Sequence, residues 1–176
     1  MKFYLWGLLG LPFFLSYKYE LAKQSFVCPQ QLKPLIEQML KDLPSYANRV
    51  IQRSRISKNK TAFQTYVLLA GHPDYRPLPL KTRQYQASQS EPTEQVFLTT
   101  LERDYNNHGF QESQNYHWLF LTSSGGSWRL VMLYTQLGST IPKNPPSPPE
   151  ETSNGIIGQA ITLWLRDCQA GTIRTH

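Results

Sequence analysis

The sequence predicts an α+β fold: one domain in which an antiparallel sheet of four or five strands is flanked by an N-terminal and a C-terminal helix that pack near each other. Three observations lead there. Apolar residues recur at helical spacing near both ends of the chain, and between residues 95 and 135 they alternate at strand spacing. The chain's two cysteines, Cys28 and Cys168, fall in the two helical stretches, so a disulfide between them draws those stretches together.

The first helix opens at Cys28-Pro29-Gln30. Leu32, Leu35, Ile36, Met39, Leu40 and Leu43 then share one face at the 3.6-residue period. Pro29 suits a first helical turn, where its missing N–H costs nothing, and Pro44 is expected to stop the helix. Residues 47–56 and 61–70 flank the polar Ser57-Lys58-Asn59-Lys60 and read as a β-hairpin, although the first arm also reads as a second helix from Ser45 to Arg55. Gly71 to Glu94 is a long loop with four prolines.

Residues 95–103 make a further strand. The strongest strand signals follow: Tyr116, Trp118 and Phe120 alternate with His117, Leu119 and Leu121, then Trp128 to Thr135 alternate after Ser123-Ser124-Gly125-Gly126-Ser127. Both faces of these two strands are largely apolar, which predicts central strands covered on each side. Ile141 to Pro149 holds five prolines and must run extended. Glu150, Glu151, Thr152, Ser153 and Asn154 suit a helix start, Ile157, Ile161, Trp164 and Cys168 form its apolar stripe, and Gly171 ends it. The domain so read spans residues 28–170, with proline-rich loops at 71–94 and 141–149.

Residues 1–22 read as a signal peptide or short hydrophobic leader. Lys2 precedes a 13-residue apolar run from Phe3 to Leu15, which suits a signal-peptide core and falls short of the ~20 residues a spanning helix needs. Glu20 sits where a small residue is wanted for cleavage after Ala22, so an uncleaved anchor is the second reading. An even cysteine count behind such a leader is the pattern of an oxidising compartment, and the expected location is extracytoplasmic: periplasmic, luminal or secreted.

The formal charge is +6, a mild excess that favours anionic surfaces weakly and carries no nucleic-acid signature. It is densest at Arg49, Arg53, Arg55, Lys58 and Lys60, and the chain has no acid between Asp42 and Asp74. On a strand, Arg49, Ile51, Arg53 and Arg55 share one face, which suits a protein partner or an anionic membrane surface; the plainer reading is a solvated hairpin. Tyr75 and Arg76, held among prolines, form a second candidate contact. Tyr116, Trp118, Phe120, Trp128 and Tyr134 form a candidate apolar pocket for a small molecule or lipid.

The four histidines lack metal-ligand spacing, and no metal or cofactor is implied. Only His117 and His72-Pro73-Asp74 offer acid–base groups for a hydrolase-type enzyme. The glycines and serines at 123–127 read as a turn rather than a phosphate loop, and Asn59-Lys60-Thr61 is a glycosylation sequon. The expected function is therefore a non-enzymatic binding, assembly or accessory factor of the cell envelope, with an apolar-ligand carrier as the alternative.

Overall fold

The computed structural model describes residues 26–58, 64–76, 93–106, 109–139 and 144–173. The leader at 1–22, the sequon at 59–61, residues 77–92 of the first proline-rich loop and 141–143 of the second lie outside the described residues. The chain runs α1 (Leu32–Lys58), β1 (Gln64–Leu69), β2 (Thr93–Asn106), β3 (Gly109–Ser124), β4 (Ser127–Leu137), β5 (Glu150–Glu151) and α2 (Ile156–Gln169). The five strands are antiparallel neighbours in chain order, so β3 is central, and the two helices pack on each other and on one face of the sheet. Among the described residues the helices cover that face alone, which corrects the expectation of central strands enclosed on both sides.

The second half of α1 corrects the strand reading of residues 47–56. Pro44 sits inside the helix and does not end it. A proline there costs about 3 kcal/mol, because it removes one backbone hydrogen bond and crowds the preceding turn. Beyond it Ala47, Val50 and Ile51 continue the buried stripe of Ile36, Leu40 and Leu43. Burying a Val or Ile side chain is worth roughly 1.5–3 kcal/mol, so the packing outweighs the proline. Ile51 therefore points inward, while Arg49 and Arg53 are exposed.

A β-bulge decides which aromatic residues share a face. Leu121 pairs with Leu130 and Phe120 pairs with Met132, which leaves Val131 as an extra residue in β4. One inserted residue shifts the alternation by one. Trp128 and Leu130 thereby join Leu133 on the helix-covered face, while Met132 and Tyr134 lie on the other. The β3–β4 turn has two residues, Gly125 and Gly126, with φ of 57° and 77°, the left-handed pair that matches strand twist in a tight hairpin.

Gly71 does not end the extended chain. Asp74 and Phe97 exchange two backbone hydrogen bonds of 2.8 and 2.7 Å, so residues up to 74 still accompany β2. On the outer side of β1, the Asn48 amide accepts from Val67 N–H at 2.8 Å and donates to Val67 C=O at 3.2 Å. A helix side chain thus occupies the hydrogen-bonding positions a further strand would take on that edge.

Cys28 and Cys168 are bonded, with Cα atoms 5.1 Å apart. The segment they anchor is also held by the indole of Trp128, which donates to Pro29 C=O at 3.2 Å, and Gln169 Nε2 donates to Trp128 C=O at 2.6 Å. The start of β4, the disulfide and the last turn of α2 therefore meet at one end of the molecule.

Candidate functional site

The helix-covered face is apolar at its centre: Leu98, Leu119, Leu121, Leu133, Ile161 and Trp164 are essentially inaccessible. A polar row crosses it. Thr100 Oγ1 lies 2.8 Å from His117 Nε2, Thr135 Oγ1 lies 2.9 Å from Nδ1, and Thr135 meets Thr152 at 2.6 Å. Burial lowers the His117 pKa to about 4, so the ring is neutral at physiological pH. With both nitrogens occupied and 1% of its surface exposed, His117 is a satisfied core residue and offers no substrate a proton. The Glu102 pKa is raised by burial, an effect eased by a hydrogen bond from Asn115.

The other histidine–acid candidate is also occupied. Arg76 binds Asp74 through side chain and backbone and lowers the Asp74 pKa to about 2, while His72 is exposed. Among the described residues no three His, Cys, Asp or Glu side chains converge in a way that could hold a metal ion.

The opposite face is aromatic. Phe97 stacks on Tyr116 with centroids 6.4 Å apart and tilts against Trp118 at 5.2 Å, and Phe120 meets Tyr134 edge-on at 6.3 Å. All five rings are half-buried. Trp128, expected among them, is on the opposite face because of the bulge. The four remaining residues of the expected pocket form a continuous surface, and the described clefts are lined by other residues.

Toward the β2–β3 turn this face becomes exposed. Tyr66 and Leu68 of β1 are each 40% accessible, Tyr105 is 38% and Phe110 is 59%. Tyr105 lies 5.9 Å from both Tyr66 and Phe110, and the Arg103 guanidinium sits 5.1 Å over the Phe110 ring. Arg103 also pairs with Glu112, and with Tyr66, Leu68 and Tyr105 it lines an open cleft of about 380 Å³. Exposed apolar residues normally occur singly, whereas these four lie together around an arginine.

Sequence reasoning misses this group. Its members come from three strands and meet only through register: Tyr66 opposes Arg103, Leu68 opposes Leu101, and Tyr105 opposes Phe110. The one available signal is Tyr105 and Phe110 placed symmetrically about residues 106–109, which marks a hairpin carrying aromatic residues at its tip.

The basic residues divide. Arg49 and Arg53 lie exposed on α1, with Arg49 4.0 Å over the Tyr46 ring; Arg55 and Lys58 belong to the last turns of the same helix. Tyr75 and Arg76 separate. Tyr75 packs against the core with its hydroxyl buried and without a hydrogen-bond partner among the described residues, whereas Arg76 is exposed and paired with Asp74. They do not make one contact surface.

No protein-family model, curated protein or solved structure matches this chain. Its own residues must show what it can bind. No helix among the described residues is long and apolar enough to cross a membrane.

Proposed function

We propose that this protein is an exported, disulfide-clasped accessory factor that binds a protein partner through the aromatic face of its sheet and performs no catalysis of its own. The observation that carries the reading is the exposed group Tyr66, Leu68, Tyr105 and Phe110 gathered about Arg103. Tyr, Phe and Arg are residue types that anchor protein interfaces, the rings because they bury much area while freezing few torsions and the guanidinium because it presents a planar fork of donors. The Arg103–Glu112 pair supplies charge of both signs beside them, which suits the polar rim of a protein contact. A lipid-binding surface would carry an excess of cations at that place. Export rests on the leader-like segment together with the disulfide, which persists in oxidising compartments.

Site-specific photocrosslinking in the native host tests the partner. A photoreactive residue at Phe110 should trap a discrete protein adduct, and the adduct should fade when Tyr105 is changed to Ser. The same probe at Lys33, exposed in the first turn of α1, serves as control. Adducts from Lys33 with none from Phe110 would refute the aromatic face as the docking surface. Cysteines found alkylatable without reductant in protein taken from its own compartment would remove the export argument.

A further inference from the structure

On the far side of the helix layer, away from the aromatic face, α1 and α2 part to form a second concave surface. Asp42, Tyr46, Arg49 and Arg53 follow at intervals of four, three and four residues, so one stripe of α1 faces α2. Its inner members are locked across the helix pair. Trp164 Nε1 donates to Asp42 at 2.8 Å, and the Tyr46 hydroxyl donates to Asp167 at 2.9 Å. Beside these bonds opens a groove of about 590 Å³, bordered by Lys41, Ser45 and Arg49 on one helix and by Asp167, Thr172 and Ile173 at the other. It continues past Arg53, Leu163 and Arg166, with Tyr46, Arg49 and Asp167 common to both parts.

The groove is cationic where it meets solvent. Both carboxylates are engaged within the protein: Asp42 accepts from the buried Trp164, and Asp167 accepts from Tyr46 and from Arg166. Arg49 is held in place by stacking on Tyr46 and by donating Nε to Ser45 C=O at 3.4 Å, and it remains exposed to solvent at the rim. Arg53, one turn on, is exposed and makes no ion pair among the described residues. An arginine held before its ligand arrives loses less freedom on binding and can grip a carboxylate with two parallel hydrogen bonds.

We infer that this groove binds an extended acidic peptide segment of a partner protein. Lys41 to Arg53 spans about 18 Å of helix, the reach of roughly five or six extended residues. Carboxylates on such a segment would meet Lys41, Arg49 and Arg53 in turn, while Tyr46, Leu163 and Ile173 give apolar walls to the chain between them. A bilayer surface is flat and cannot enter a channel between two helices, and a free phosphate that bridged Arg49 and Arg53 would leave Lys41, two turns away, unengaged.

The test uses the full chain and a fluorescein-labelled peptide of alternating glutamate and alanine, about twelve residues long, followed by anisotropy. Binding should weaken about tenfold in the Arg49→Gln/Arg53→Gln variant and vanish near about 0.5 M salt. Arg49→Lys/Arg53→Lys, which keeps charge but loses the paired hydrogen bonds, should fall between. Lys33→Gln/Arg76→Gln removes the same formal charge elsewhere on the surface and should bind as the parent does, with circular dichroism and thermal melting showing that each variant is folded. Failure of the parent to bind the peptide overturns the inference. So does equal weakening in the Lys33/Arg76 variant, or retention by vesicles rich in anionic lipid when the peptide is not bound.

Discussion

Trp118 and Leu119 are neighbours in one strand, yet they belong to different surfaces. Leu119 is fully enclosed beneath the helices; Trp118 is half-buried in an aromatic face that neither helix covers. The first surface is specified by packing: its side chains interlock with α1 and α2, and its polar row is closed on itself by hydrogen bonds. The second is made of rings that meet at their edges and end in an accessible group around Arg103. Residues that hold a fold together and residues of a proposed docking face can therefore alternate along a single strand, and the difference between them should be measurable.

The largest effect should come from the clasp. Cys28 and Cys168 lie 140 residues apart in the chain, a loop worth about 4–5 kcal/mol in the chain-entropy model. Chemical denaturation of Cys28→Ser/Cys168→Ser should show a loss of that order, shared by the reduced parent. A loss below about 1 kcal/mol would mean that the unfolded chain is already compact.

Next, Leu119→Ala should cost about 3–4 kcal/mol, because it opens a cavity that the surrounding helices cannot fill. Trp118→Ser, one residue away, should cost roughly 1–2 kcal/mol, the worth of a partly exposed ring. Comparable losses at the two positions, read from urea midpoints, would show that the aromatic face is as firmly packed as the core and would weaken its reading as a docking surface.

How much of this is legible in the sequence follows from how local each signal is. The α2 stripe and the alternation of β3 are written in consecutive residues, and the cysteine pair needs only an even count and plausible spacing. Pro44 opposes a continuous helix and residues 45–55 read locally as either strand or helix; burial of Ala47, Val50 and Ile51 decides between them. The place of Trp128 is hidden for a similar reason: a bulge belongs to the pairing of two strands and leaves no mark in either. Arg49 and Arg53 stand out in the sequence as anion contacts on a strand. The residues that give them a groove, Tyr46, Leu163 and Arg166, come from a helix packing that periodicity alone cannot place.

The closed polar row predicts a pH dependence of intermediate size. His117 has a pKa near 4 when folded and about 6.5 when unfolded, so between those values the unfolded chain binds the extra proton. Stability is then complete above about pH 6.5, falls as the pH drops through that window by about 3 kcal/mol, and levels below about pH 4. Glu102, whose pKa burial raises, works in the opposite sense over part of the range. Comparison with His117→Gln isolates the histidine: its denaturation midpoint should vary less between about pH 7 and pH 4.5. An unchanged slope would mean that the ring is reached by water in the folded state.

The smallest effect is the most informative about the aromatic face. Phe110→Ser should alter stability by no more than about 0.5 kcal/mol, because a largely exposed ring contributes little to the folded state. The proposed partner should nonetheless be lost in crosslinking or affinity capture, since the same ring would be buried in the complex. This separation of stability from binding distinguishes a docking surface from a loosely packed flank of the core. A flank would lose stability and binding together. A surface with no partner would lose neither, and Leu119→Ala gives the scale for comparison, as it should weaken binding only to the extent that it unfolds the chain.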